Sequence, residues 1–146
     1  MKKLLVFVFV AALFTSIYSH AQSGQDSLAI KQAALDYIEG WYEGNAERME
    51  KALHSELAKR AVFTDQNSGR SNLQQMSAMT LVQYTRAGYG TRTPKENQQN
   101  DVTILDIFQN IACVKIVATD WIDYLQVALY NGQWKIVNVL WEVKKK

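Results

Sequence analysis

The chain has few of the residues that build disulfide frameworks and metal centres. Its 146 residues include one cysteine, one proline and two histidines. The single cysteine, Cys113, cannot form an internal disulfide, and so few His and Cys side chains leave no cluster for a zinc or copper centre. We therefore expect no metal and no cofactor. Because Cys113 lies in an apolar run that reads as a strand, a buried and inert thiol is predicted there.

The chain also lacks a charge excess. Its 16 Lys and Arg residues face 14 Asp and Glu residues, and two of the lysines, Lys2 and Lys3, open the chain. A mature chain without them would be balanced, so no nucleic-acid partner is predicted. Sequence motifs of phosphate-binding loops, serine hydrolases and zinc proteases are absent as well.

The N-terminal segment MKKLLVFVFVAALFTSIYSHA, residues 1–21, has the pattern of a signal peptide. Two lysines precede an apolar run from Leu4 to about Phe14, and small residues close the segment at Ala21. The run is shorter than the roughly 18 residues that span a bilayer. We expect cleavage after Ala21, export to the periplasm or the medium, no membrane attachment afterwards, and a single domain over residues 22–146.

Three helices are predicted before a closing sheet. Apolar residues at helical spacing indicate a first helix over 27–42, ended by Gly44, and Asn45 is placed to cap a second helix through about Leu53. Ser77 is placed to cap a third helix over 78–87, which Gly88 closes. Residues 57–64 read as a short strand, 65–70 as a turn and 88–101 as a polar loop.

The last third of the chain predicts a four-stranded antiparallel meander. Its β-branched and aromatic runs cover 102–108, 111–118, 122–130 and 134–143, separated by short turns. Helices followed by a sheet indicate an α+β domain with the helices on one side of the sheet.

A two-residue turn at Asn131-Gly132 fixes a predicted register for the last hairpin. Leu129 would then lie opposite Trp134, and Val127 opposite Ile136. Further from the turn, Leu125 would lie opposite Asn138, and Asp123 opposite Leu140. Continued through the meander, this register assigns residues to two faces. The helix-facing side would carry Leu105, Ile107, Val114, Ile116, Asp123, Leu125, Asn138 and Leu140, and the outer side Asp106, Cys113, Lys115, Ile122, Tyr124, Val139 and Trp141.

Three stretches carry a resemblance to a known family. The first two are AALDYIEGWYEGNAERMEKALHSEL and MTLVQYTRAG, and the third is the meander with its NGQWKIVNVLW hairpin. Together they resemble the putative lumazine-binding family of the nuclear transport factor 2-like superfamily. The resemblance implies a cone in which three N-terminal helices pack on a curved, mainly antiparallel sheet around a pocket. It also implies relatives such as ketosteroid isomerase and dimers formed through the outer sheet face.

Two residues are candidates for proton transfer. Asp123, among apolar neighbours and diagonal to Asn138, could act as a general acid or base, or could simply bond the preceding turn or solvent. His54 could lie over the pocket mouth, or bond the last carbonyls of the second helix.

A second group is predicted to contact a ligand. Its members are Trp41, Tyr42, Tyr84, Leu125, Asn138 and Leu140, with Tyr89 as a further aromatic candidate. An aromatic stripe at helical spacing also suits a plain core. Arg48 and Arg86 could hold an anionic substituent, or could face solvent.

Three functional hypotheses remain open on these residues. The first is an exported protein that binds an apolar or aromatic small molecule, and that forms a homodimer through its outer sheet face. The second is a cofactor-independent isomerase, dehydratase or cyclase that uses Asp123 with His54. The third is an interaction module whose pocket is filled by its own side chains.

Overall fold

The computed structural model describes residues 24–145, so the predicted signal peptide at 1–21 lies outside the described residues. In chain order, the helices are α1 (residues 24–43), α2 (Ala46–Ala52) and α3 (Ala78–Arg86). Two 3-10 turns follow, at Gly90–Arg92 and Lys95–Asn97. The strands are β1 (Leu53–Thr64), β2 (Ser71–Ser77), β3 (Asn100–Phe108), β4 (Ile111–Ala118), β5 (Trp121–Tyr130) and β6 (Gln133–Val143).

The predicted helix end at Gly44 and the predicted caps at Asn45 and Ser77 are confirmed, whereas the first helix already includes residue 24 and Leu53 belongs to β1. After α1, Gly44 has a φ of +67°, a left-handed conformation that glycine adopts without steric cost. The Asn45 side chain then accepts a hydrogen bond of 3.0 Å from the backbone amide of Arg48 and starts α2. Ser77 does the same for α3, accepting from the Thr80 amide at 3.2 Å.

One sheet of six strands, in the order β2-β1-β6-β5-β4-β3, covers one side of the helices. All neighbouring strands are antiparallel except β1 and β6, which run parallel. The predicted α+β class, with three helices on a curved and mainly antiparallel sheet, is thus confirmed for the described residues.

The core fills the space between the helices and the inner face of the sheet. Ile30, Ala34 and Ile38, spaced by one helical turn on α1, are fully buried. They pack with Ile116 and Ile136 from the middle of the sheet, which are equally inaccessible. Residues 24–145 contain no helix long and apolar enough to cross a membrane.

One strand, β2, was not predicted. Its sequence SNLQQMS is mostly polar, and its residues are exposed apart from the half-buried Met76. An edge strand with a solvated face carries little of the apolar alternation on which strand prediction depends.

A β-bulge in β6 overturns part of the predicted register. Val127 pairs with Ile136 as expected, but Gln126 pairs with Asn138, which leaves Val137 as an extra residue. Leu125 therefore lies opposite Val139, and Asp123 opposite Trp141.

The bulge exchanges the two faces for the second half of β6. Val139 is buried on the inner face, whereas Leu140 is 56% exposed and the Asn138 amide donates to Gln126 Oε1 at 3.0 Å on the outer face. The prediction that Asn138 and Leu140 face the helices is wrong, as is the assignment of Val139 and Trp141 to the outer face. One inserted residue reverses the alternation of every residue after it.

The same effect occurs in β3. A register shift between Ile104 and Asp106 leaves Leu105 unpaired and 50% exposed, although it was predicted to face the core, whereas Ile107 packs against the core as predicted. Cys113, opposite Asp106, is exposed on the outer face, so the predicted buried thiol is also wrong.

Candidate functional site

A cavity of about 170 Å³ lies between the helices and the sheet. Its lining residues are aliphatic or aromatic except for Lys59. The lining residues are Tyr37, Ile38, Trp41, Met49, Lys59, Met76, Leu81, Tyr84, Trp121 and Trp141. An apolar protein cavity of about 150 Å³ accepts benzene, so this volume suits a ligand built on one aromatic ring.

The aromatic side chains of the cavity lining are held by close packing of α1 against β5 and against the loop that follows α3. The Trp41 and Trp121 rings meet edge to face with centroids 6.5 Å apart. A Cβ atom on Gly90 would lie 2.0 Å from the carbonyl oxygen of Trp41, so the loop reaches α1 only because residue 90 is glycine.

A cluster of four hydrogen-bonded side chains forms the polar part of the wall. Lys59 Nζ donates to Asp123 Oδ1 at 2.7 Å and to the Tyr37 hydroxyl oxygen at 2.5 Å. The Tyr37 hydroxyl and Trp121 Nε1 donate to Asp123 Oδ2, at 3.2 and 2.7 Å. Asp123 is 0% exposed and Lys59 only 5%, so this is a fully buried ion pair whose polar atoms have partners.

The sheet register brings this cluster together. Lys59 on β1 lies beside Val139 of β6, and Asp123 on β5 lies opposite Trp141 of the same strand. The Lys59 ammonium group also lies 5.0 Å from the centre of the Trp141 ring, within cation–π range. The bulge in β6 is what turns Trp141 inward to occupy this position.

The electrostatics of the cluster keep the Tyr37 hydroxyl protonated. Burial raises the pKa of Tyr37 well above its ordinary value, and the nearby negative charge of Asp123 raises it further. Tyr37 is therefore a fixed hydrogen-bond donor to the carboxylate. Asp123 itself does not line the cavity, and its oxygens accept from Lys59, Tyr37 and Trp121, which do.

The structure brings three of the predicted site residues together. Trp41 and Tyr84 line the cavity, and Asp123 lies directly behind its wall. Tyr84 is 41% exposed, which places it on the side where the cavity meets solvent. The predicted contact of Trp41 and Tyr84 with a ligand stays a prediction.

Two other predicted ligand contacts lie elsewhere in the interior. Leu125 is part of the core beneath the sheet and does not line the cavity. Tyr42 is buried, and its hydroxyl group bonds the Gln99 carbonyl at 3.0 Å and Thr119 Oγ1 at 3.1 Å. Tyr42 therefore fixes the loop before β3 rather than a ligand.

His54 is separate from the cavity, so it does not take the first of its two predicted positions, over the pocket mouth. It is the second residue of β1, its Nδ1 accepts from the Glu56 amide at 3.1 Å, and its ring packs edge to face on Tyr130 at 4.5 Å. It lines a different depression, shared with Arg86 and the exposed Met79. The structure therefore does not bring His54 to the cavity behind whose wall Asp123 lies.

The remaining candidates have structural partners. Arg48 is paired with three carboxylates of α1: Asp36 at 2.9 Å, Glu43 at 3.1 Å, and Glu39. These ion pairs fasten α2 to α1, and Arg48 is not among the residues that line the cavity. Tyr89 stacks on Tyr84 with centroids 5.0 Å apart and does not line the cavity.

Of the residues that line the cavity, only Trp41 and Tyr84 were predicted, and the missed ones include Tyr37, Lys59, Met76, Trp121 and Trp141. A signal for Lys59 was present, because strand alternation places it on the same face as Leu57 and Ala61, both of which are buried. A lysine between two apolar residues of one strand face is either a solvated edge residue or a buried, paired charge. No comparable signal was available for Trp141, because its face depends on the bulge.

Comparisons with known proteins agree with this architecture. The family model described as putative lumazine-binding matches residues 25–142. An NTF2-like protein of unknown function from Silicibacter pomeroyi aligns with a TM-score of 0.64 and 14% identity, over 84% of this chain and 98% of that one. A second NTF2-like protein of unknown function, from Shewanella baltica, aligns with a TM-score of 0.64 and 18% identity, over 84% of this chain and 96% of that one.

An NTF2-like protein with a cystatin-like fold from Novosphingobium aromaticivorans gives a TM-score of 0.64 at 8% identity, over 88% of both chains. Similarity at these identities concerns the fold alone. A search of curated proteins gave no match. Since the family model spans residues 25–142 of the 146, the chain belongs to the putative lumazine-binding family.

Proposed function

We propose that the protein binds a small apolar or aromatic molecule in the cavity between its helices and sheet. The carrying observation is the cavity itself, which has a volume of about 170 Å³ and walls made of aromatic and aliphatic side chains. A concave apolar site with few polar groups is the usual form of a small-molecule site. Membership in the putative lumazine-binding family supports the same function.

The geometry favours binding over catalysis by the predicted pair. A general base must reach the proton that it removes, but three donors occupy the oxygens of Asp123 and separate it from the cavity. His54 lines a different depression. The carboxylate therefore serves to hold Lys59, Tyr37 and Trp121 in the cavity wall.

Export is a further part of the proposal. It is supported by the residue pattern of positions 1–21, in which two lysines precede an apolar run and a small-residue close. The intact mass of the protein from the exported fraction should correspond to a chain that begins at Gln22. A mass that includes residues 1–21 would contradict export with cleavage.

We also propose a homodimer through the outer face of the sheet, as the bulge in β6 defines that face. Val62 and Leu73 pair across β1 and β2, and Tyr124 and Leu140 pair across β5 and β6, all with about half or more of their surface exposed. Val62, Tyr124 and Leu140 line one shallow depression. A second copy of the chain would cover this apolar strip, which monomers seldom leave exposed.

A cavity-filling variant tests the binding function. Met76 lines the cavity from β2, so Met76→Phe should reduce its volume and weaken the binding of a ring-sized probe such as toluene, followed by quenching of tryptophan fluorescence. Leu73→Phe is the matched control, because Leu73 lies on the same strand but is 58% exposed. No toluene binding by the wild type, or equal weakening in both variants, would overturn the proposal.

A further inference from the structure

We infer that the cavity wall contains a subsite for a neutral hydrogen-bond acceptor on the ligand, such as a carbonyl oxygen, and that Lys59 is its donor. The inference rests on the proposed binding function and adds a chemical class to it. The ligand would be a single-ring compound that carries one uncharged acceptor group.

The first step is an account of the donors in the buried cluster. The Tyr37 hydroxyl and Trp121 Nε1 each donate to Asp123. A lysine ammonium group has three donors, and Lys59 uses two of them, on Asp123 and Tyr37. One N–H of Lys59 is therefore left without an acceptor in this cluster.

The second step concerns where that donor lies. Lys59 lines the cavity while 95% of its surface is removed from solvent. Its Nζ also lies 5.2 Å from the centre of the Tyr37 ring and 5.0 Å from the centre of the Trp141 ring. The faces of aromatic rings attract the positive charge of the ammonium group, but they offer no lone pair as an acceptor for its N–H bond. A ligand oxygen in the cavity would supply one.

The third step is charge. The carboxylate of Asp123 lies 2.7 Å from Lys59 Nζ and already balances the ammonium charge. Tyr37 adds no charge to the cluster, since its hydroxyl is protonated. An anionic ligand would leave one uncompensated negative charge in an apolar cavity, which is costly. The site therefore favours a neutral acceptor over a carboxylate of the same shape.

Three compounds of nearly equal shape test the inference. Acetophenone carries a neutral acceptor, α-methylstyrene replaces the oxygen by a methylene group, and benzoate carries the negative charge. Their hydration differs, so the informative quantity is how a variant changes the ratio of two dissociation constants. In Lys59→Met/Asp123→Asn, which removes the donor and keeps the cluster neutral, the affinity for acetophenone relative to α-methylstyrene should fall about tenfold or more.

Lys115→Met is the matched control, because Lys115 lies on the outer face beside Tyr124 and should leave the ratio unchanged. An unchanged ratio in Lys59→Met/Asp123→Asn would overturn the inference, as would tighter binding of benzoate than of acetophenone to the wild type. α-Methylstyrene separates the two proposals. If it binds while the ratio is unchanged, only the inference fails, and if none of the probes binds, the proposed function fails.

A measurement on the wild type covers the case in which the double variant does not fold. The infrared carbonyl stretch of bound acetophenone should move to lower frequency than in an alkane solvent, because an ammonium donor polarises the carbonyl group. A stretch at the alkane position would overturn the inference.

Discussion

Lys59 Nζ and Asp123 Oδ1 are 2.7 Å apart and buried, although the two residues belong to strands that are not neighbours in the sheet. Strand β6 lies between them and contributes Trp141 to the same cavity. The polar group of the cavity wall is therefore assembled across three strands.

The first prediction concerns the free energy of unfolding. Lys59→Met leaves Asp123 buried without its cation, which costs about 3–5 kcal/mol for a buried ion pair. In Lys59→Met/Asp123→Asn the unpaired charge is gone, so the loss should be smaller than the sum of the two single losses. Urea denaturation of the wild type, Lys59→Met, Asp123→Asn and the double variant measures the single losses and the combined loss. Additive losses would show that the two residues do not interact, and Lys115→Met should stay within about 0.5 kcal/mol of the wild type.

The second prediction concerns acid stability. Burial raises the pKa of Asp36, but hydrogen bonds from Arg48, Gln32 and Lys51 together lower it below its ordinary value of 3.8. A carboxyl group whose pKa is lower in the folded state contributes stability above the unfolded-state pKa, and the contribution is lost as the pH falls through the folded-state pKa.

Asp36→Asn should therefore be less stable than the wild type near neutral pH, and the difference should shrink as the pH falls below about 4. Unfolding free energies measured from pH 2 to pH 6 for both proteins give this difference. A stability difference that stays constant over that range would contradict the lowered pKa of Asp36.

The third prediction separates the two faces of β6. Trp141→Leu removes an aromatic wall from the cavity and should weaken the binding of a ring-sized probe. Asn138→Leu changes a residue that bonds Gln126 on the outer face, so binding should be unaffected and stability should change by about 1 kcal/mol or less. Titration calorimetry with both variants measures the contrast. Weakened binding in Asn138→Leu alone would mean that the strand has no bulge in solution.

The fourth prediction concerns the proposed homodimer. Leu140→Glu places a charge in the apolar strip of the outer face and should convert the dimer to a monomer at tens of micromolar. Met79→Glu is the matched control, because Met79 is 71% exposed on α3, on the helix side of the sheet. Light scattering coupled to size exclusion gives the mass of each. A monomeric wild type, or loss of the dimer in both variants, would contradict the proposed interface.

Much of the fold could be predicted from the sequence because its signals are local. Gly44, Asn45 and Ser77 mark helix ends through their own backbone preferences and side-chain oxygens. Asn131-Gly132 fixes the last hairpin, and the pairs next to that turn, Leu129 with Trp134 and Val127 with Ile136, are found as predicted.

The site could be predicted less well because it depends on events between strands. The bulge at Val137 has no residue signature in this sequence, yet it decides whether Asn138 or Trp141 belongs to the helix-facing side. The pairing of Lys59 with Asp123 joins residues 64 positions apart through a parallel contact between β1 and β6. That contact connects the first strand to the last, and no local pattern encodes it.

The location of a bound ligand tests the central claim most directly. Crystals of the protein soaked with iodobenzene should show an anomalous scattering peak from iodine inside the cavity, within van der Waals distance of Trp41, Leu81 and Trp141. Met76→Phe crystals treated in the same way should show a weaker peak or none. Iodine bound only in the depression beside His54, or nowhere in ordered density, would contradict the assignment of this cavity as the binding site.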